Sequence, residues 1–117
     1  MKMKPATRAD ALFRAFADPT RLRILNLLKS GELCVCDLVD VLDVPQPKAS
    51  RHLAYLRRVG LVSARKDGYW SYYRIAAKLG LLPVQLLACL ECCTPEMPEF
   101  ARDLKLVKTR CGKGCCD

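Results

Sequence analysis

Pro45-Gln46-Pro47 separates two short amphipathic segments, and this break narrows the fold more than any other part of the chain. Proline lacks the N–H that an interior helical turn needs, so no helix runs through Pro45, whereas Pro47 can open a new one. Upstream, Val35, Leu38, Val41 and Leu42 give an apolar side to a helix expected over residues 34–42. Downstream, Ala49, Leu53 and Leu56 recur at i, i+4 and i+7, which predicts a helix over 47–59 with Gly60 as its stop. The remaining faces of that second helix carry Lys48, Arg51, His52, Tyr55 and Arg58. Two short helices joined by a tight turn, the second apolar on one side and basic on the other, form a helix-turn-helix pattern.

The flanking segments fit the same plan. Ala9, Leu12, Phe13 and Phe16 mark an amphipathic first helix. Asp18-Pro19 then supplies an N-cap and a proline for the first turn of a second helix through Leu22, Leu25 and Leu28, stopping near Gly31. Asp67-Gly68 lies between two β-prone runs, 61–66 and 69–75, and predicts a hairpin turn centred on that dipeptide, both residues taking positive φ. A hairpin directly after a recognition helix is a wing. A last helix is expected over 83–93 with Leu82, Leu86, Cys89 and Cys93 along one side, then a further amphipathic stretch at 100–107. The expected architecture is mainly α with a β-hairpin wing. Residues 1–98 would form the DNA-binding and dimerisation domain, and 99–117 a C-terminal extension ending in a flexible tail with Cys111, Cys115 and Cys116.

Charge points to a polyanionic partner. The formal net charge is +8, and it is unevenly spread. Residues 45–74 hold seven basic side chains (Lys48, Arg51, Arg57, Arg58, Arg65, Lys66, Arg74) against Asp67, whereas 31–44 hold Glu32, Asp37, Asp40 and Asp43 with no basic residue. Gln46, Ser50 and His52 have the donors and acceptors to read base edges, and Lys48 and Arg51 suit guanine or phosphate. Arg65 and Lys66, near the hairpin tip, would reach flanking backbone or the minor groove. Tyr55, Tyr69 and Trp70 suit either sugar packing or the core. One module of this size makes few phosphate contacts, so a homodimer on a pseudo-palindromic duplex is expected, joined through the first and last helices. No apolar run reaches membrane-spanning length and no hydrophobic segment follows the N-terminal charges, so a cytoplasmic protein is expected. With a single histidine and no phosphate-cradling glycine loop, enzyme activity is not expected.

Eight cysteines in a reducing compartment suggest metal, metalloid or redox chemistry rather than a disulfide framework. Cys34 and Cys36 are two apart, about 200° around an ideal helix, so joint ligation would require the helix to unwind there. Cys89, Cys92 and Cys93, at i, i+3 and i+4, lie near one another on a helix without distortion, and suit either a thiolate site or core packing.

Glu32-Leu33-Cys34-Val35-Cys36-Asp37-Leu38, followed by Gln46-Pro47-Lys48-Ala49-Ser50-Arg51-His52-Leu53 and the wing run Gly68-Tyr69-Trp70-Ser71-Tyr72-Tyr73-Arg74, resembles the ArsR/SmtB family of metal-sensing repressors, and most of all its arsenite-responsive branch. The resemblance implies a homodimeric winged-helix repressor of an arsenic-resistance operon, released from operator DNA by As(III) or Sb(III). Some arsenite-responsive relatives carry a third cysteine three positions after the pair, where this chain has Val39. Cysteines before Cys34, which cadmium and lead sensors carry, are missing, and the single histidine lies on the reading helix, so an all-thiolate soft site is favoured. Cys34 with Cys36 ranks first as the inducer site, Cys89, Cys92 and Cys93 second, and the tail third. A cadmium, lead or zinc sensor, a thiol-redox repressor and a thiol-rich metal carrier without a DNA role remain alternatives.

Overall fold

The computed structural model describes the backbone of residues 8–92 and 94–113 and the side chains of 8–92 and 94–109. Among the described residues six helices and a small sheet follow in the order α1 (Ala9–Ala15), α2 (Pro19–Leu28), β1 (Leu33–Cys34), α3 (Val35–Leu42), α4 (Gln46–Arg58), β2 (Val62–Asp67), β3 (Trp70–Ile75), α5 (Leu81–Cys92), a 3₁₀ turn at Thr94–Glu96, and α6 (Pro98–Lys113). The sheet is antiparallel in the order β1-β3-β2, so the wing hairpin borrows a third strand from the segment just before α3.

Local chemistry fixes the ends of the reading unit. Asp18 caps α2, its carboxylate accepting from the Arg21 amide at 3.0 Å. The left-handed Asp43 (φ 57°) closes α3. At the end of α4, Gly60 takes φ 87°; its amide donates to Arg57 O and that of Leu61 to Leu56 O, each at 3.0 Å. This double closure needs a residue at positive φ, and glycine adopts it without a Cβ penalty. Ala49, Leu53 and Leu56 of α4 are buried, as their spacing predicts, against Ile24, Leu25, Leu38 and Leu61 in one core. Burying each leucine contributes about 1.5–3 kcal/mol, which holds α4 in place while its outer face stays polar.

Several elements differ from the sequence expectation. The hairpin loop is Gly68-Tyr69, because Asp67 pairs with Trp70 and only Gly68 takes positive φ (65°), one residue beyond the expected centre. A glycine in the first loop position is the type II′ preference. On α5 the buried residues are Pro83, Leu87 and Leu90, whereas Cys89 and Cys92 are exposed, so these two cysteines are not core filling. Cys93 lies outside the described residues. α6 is longer than the 100–107 stretch and sends Phe100, Asp103 and Val107 into the core. It begins at Pro98, where the C-terminal extension was expected to start, and packs on α2 and α3. Cys111 falls within its last turn, and Cys115 and Cys116 lie outside the described residues. Among the described residues no helix is long and apolar enough to cross a membrane.

Candidate nucleic-acid interface and thiol cleft

Gln46, Lys48, Ser50 and Arg51 are exposed on the first turns of α4, and Arg57 and Arg58 extend the exposed basic surface to its end. Lys66 is exposed on β2 near the wing tip, with Tyr69 almost fully solvated in the loop. On α4 these polar and charged side chains lie off the Ala49-Leu53-Leu56 stripe, so the pattern that seats the helix leaves them facing outward.

Two basic residues expected at DNA are engaged within the protein. His52 turns toward the start of α2: its Nε2 lies 3.7 Å from Asp18 Oδ2, and Arg21 Nη1 lies 3.3 Å from its Nδ1. The same Arg21 stacks its guanidinium 4.5 Å from the Tyr55 ring centroid. Arg65 makes a two-pronged ion pair with Glu32 at 2.8 and 2.9 Å and stacks on Tyr72. Its hydrogen bonds hold the Glu32 carboxyl below the ordinary carboxylate range and raise the Arg65 guanidinium. Glu32 lies just before β1, so this contact ties the cysteine strand to the wing.

His52 makes the fold sensitive to acid. Burial depresses its pKa below the ordinary 6.5; the charges of Arg21, Lys48 and Arg51 push the same way, and Asp18 opposes them. The folded protein therefore binds fewer protons at this ring than the unfolded chain does near and below pH 6.5, so stability falls as the pH drops through that value. Urea unfolding at pH 7.5 and 5.5 should show a smaller acid loss in His52→Gln than in the parent; an equal loss would place the sensitivity elsewhere.

The cysteine pair departs most from expectation. Cys34 is the N-cap of α3, in extended conformation (φ −76°, ψ 148°), and belongs to β1, paired with Tyr72 of the wing. Only Cys36 lies within the helix. The chain bends between them, and the two sulfurs stand 3.1 Å apart, the Cys36 thiol donating. No unwinding is needed for them to meet, which corrects the 200° argument: it held for two residues in one helix, and Cys34 is not helical. Cys34 is buried and disulfide-bonded, and Cys36 is a half-buried thiol. Among the described residues no group of three His, Cys, Asp or Glu side chains converges on a common point.

The pair opens into a cleft of about 380 Å³ whose walls come from three elements: Val35, Val39 and Asp40 of α3, Gln46 and Ser50 of α4, and Tyr69, Trp70, Ser71 and Tyr73 of the wing. A larger cleft of about 770 Å³, between Leu28, Glu32, Arg65, Arg74 and Leu87, has no cysteine in its walls. The wing aromatics were legible as residues but not as a wall, because a hairpin's sequence does not say which helix it folds over.

A helix-turn-helix with an exposed basic reading helix and a three-stranded wing defines a winged-helix DNA-binding regulator. Residues 18–64 match the family model described as bacterial regulatory protein, arsR family. The arsenical resistance operon repressor of Escherichia coli is 58% identical over 66 residues, which cover 56% of each chain, so the match spans little more than half of that relative. A probable mercury resistance operon repressor of Streptomyces lividans is 39% identical over 101 residues, 77% of this chain and 81% of that one. The solution structure of a homodimeric winged helix-turn-helix DNA-binding domain from Mycobacterium bovis superimposes with a TM-score of 0.62 at 34% identity, covering 77% of this chain and 81% of that one. The chain belongs to the arsR family of transcriptional regulators, a family of DNA-binding proteins and not of enzymes.

Proposed function

We propose that this regulator is an arsenic-responsive repressor that grips operator DNA as a homodimer and lets go when As(III) or Sb(III) is held by the thiolates of Cys34 and Cys36. The observation that carries this reading is the 3.1 Å approach of the two sulfurs inside a cleft shared by α3, α4 and the wing. Gln46 and Ser50 line that cleft and belong to the reading helix, so anything seated on the sulfurs presses directly on the DNA-facing turn. Coordination and loss of grip then share the same atoms. Moving a dimer from nearly all competent to nearly all incompetent requires about 5.5 kcal/mol of preference for the second state.

The names of two relatives point to soft, thiophilic ligands: one is an arsenical resistance operon repressor and the other a probable mercury resistance operon repressor. Phe13 of α1 and Leu81 and Val84 of α5 are exposed apolar side chains suited to the dimer contact, and the DNA contacts would come from Gln46, Lys48, Ser50, Arg51 and Lys66. The exposed Cys89 and Cys92, three apart on α5, form a second candidate thiolate site on that same outer face. The protein would act in the cytoplasm, where thiols stay reduced.

Trp70 is the chain's sole tryptophan and lines the cleft, so its fluorescence reports occupancy. After reduction with a phosphine, arsenite should change that signal saturably, and the response should survive in Cys89→Ser and Cys92→Ser. The oxidised protein should not respond, because a disulfide-bonded Cys34 offers no thiolate. Saturable binding of cadmium with no response to arsenite would overturn the proposal.

Phosphate contacts carry their own signature. Arg51→Ala should weaken binding on every duplex tested and lower the slope of log K against log salt by about 0.9. An unchanged slope in a salt titration would remove Arg51 from the interface.

A further inference from the structure

We propose that Arg21 is a positioning residue that locks the reading helix α4 to α1, and so sets the half-site spacing that a homodimer of this regulator accepts on DNA. The inference rests on the reading of α1 as part of the dimer contact and of α4 as the DNA-facing helix.

Arg21 lies in the first turn of α2, where its amide donates to the Asp18 cap. A cation there faces the positive end of its own helix dipole, so the position is unfavourable unless the side chain finds partners elsewhere. It finds them on two other helices. Nε donates to the carbonyl of Ala15 at 3.1 Å and Nη2 to that of Arg14 at 2.7 Å, so the guanidinium caps the C-terminus of α1, where free carbonyls favour a cation. Nη1 lies 3.3 Å from His52 Nδ1, and the guanidinium stacks 4.5 Å from the Tyr55 ring centroid, both on α4. Arginine has no acceptor, so His52 Nδ1 accepts in this contact. The donors and the stacking face of a guanidinium are rigidly related, so one side chain fixes α1, α2 and α4 in a single geometry.

The direction of α1 depends on this clamp. The helix is seven residues long, and Leu12 and Ala15 are its buried side chains. Two buried groups fix the depth of so short a helix better than its direction. Phe13 of α1 is 55% exposed and, in the proposed dimer, meets the second copy. A tilt of α1 against α4 then becomes a tilt of one reading helix against the other. The effect is levered, because the two reading helices of such a dimer stand about 34–36 Å apart.

The test compares full-length parent and Arg21→Lys on three duplexes, by fluorescence anisotropy at constant salt. One duplex is selected against the parent; the others have one base pair added to or removed from the centre. That change moves the half-sites by about 3.4 Å and turns them by about 35°. The parent should bind the selected duplex at least about tenfold more tightly than either altered one. In Arg21→Lys, which keeps the charge but not the fork, the ratio should fall to about threefold or less, through weaker binding of the selected duplex. A purely structural role would weaken all three equally; a preserved ratio would therefore overturn the proposal. If circular dichroism shows Arg21→Lys unfolded, Tyr55→Leu, which removes the stack, should lower the ratio in the same direction, and an unchanged ratio there would overturn it. A parent that binds all three duplexes alike would overturn it too. Sedimentation of the complexes separates the two readings: two chains per duplex are expected, and one chain per duplex would remove the homodimer from the proposed function and this inference with it.

Discussion

Arg23→Ala should destabilise the fold by about 3–5 kcal/mol, a large share of the 5–15 kcal/mol that holds a domain of this size together. Asp103 of α6 is completely buried, and its two carboxylate oxygens accept from Arg23 Nε and Nη2 of α2, both at 2.8 Å. The Asp103 hydrogen bond and charge, against the burial that opposes them, raise the Arg23 guanidinium above its ordinary value. Removing the arginine leaves a fully buried carboxylate without the cation that pairs with it. In urea the midpoint should fall with the slope nearly unchanged. The pair Arg23→Met with Asp103→Leu should recover most of the loss, because exchanging both charges for hydrocarbon removes the desolvation cost as well. A loss below about 1 kcal/mol in Arg23→Ala would mean that the pair behaves as a surface contact. Because α6 packs on both α2 and α3, this ion pair also braces the helix that carries Cys36.

Cys34→Ser and Cys36→Ser should each raise the arsenical concentration needed for DNA release by about 100-fold or more. On the proposed reading, once Cys34 is reduced the two neighbouring sulfurs would act as one chelate, the second bond forming within an already bound complex at high effective concentration. Serine keeps the size and polarity but supplies no soft thiolate at neutral pH. DNA affinity without inducer should be close to that of the parent, since neither cysteine lies on the exposed face of α4. Release measured by fluorescence anisotropy separates the two effects. Unaltered induction in both variants, with loss in Cys89→Ser or Cys92→Ser, would move sensing to α5.

The reading unit was legible in the sequence because its signals are local. Asp18-Pro19 caps α2, the prolines around Gln46 open α4, Gly60 closes it, and Ala49, Leu53 and Leu56 state which face is buried. What was not legible depends on partners far along the chain. Leu33–Cys34 is a strand only because β3 lies beside it, so Cys34 left the expected helix and the pair converged. Residues 81–92 are apolar nearly all round, and with no polar side to mark the outer face the sequence left open whether Cys89 packs inward; Leu82 and Leu86 do lie against the core, with Pro83, Leu87 and Leu90 more deeply buried. In α6, Asp103 interrupts the apolar stripe as a charge, though its partner Arg23 buries it with Phe100 and Val107. His52 as a base reader and Arg65 as a wing cation were read from the chain alone, which does not show that Asp18 and Arg21 lie beside the one and Glu32 beside the other. Charge counts along a chain carry no information about which charges neutralise one another across it.

The most direct measurement is the affinity of reduced protein for a duplex selected against it, taken with and without a saturating arsenical at constant salt. If, as proposed, a ligand in the Cys34–Cys36 cleft displaces Gln46, Ser50 and the wing, the loaded protein should bind that duplex at least about 100-fold more weakly, about 2.7 kcal/mol, and Cys34→Ser should show no difference. Equal affinity of the loaded and empty forms, with occupancy of the cleft confirmed by Trp70, would contradict the coupling of sulfur coordination to DNA release.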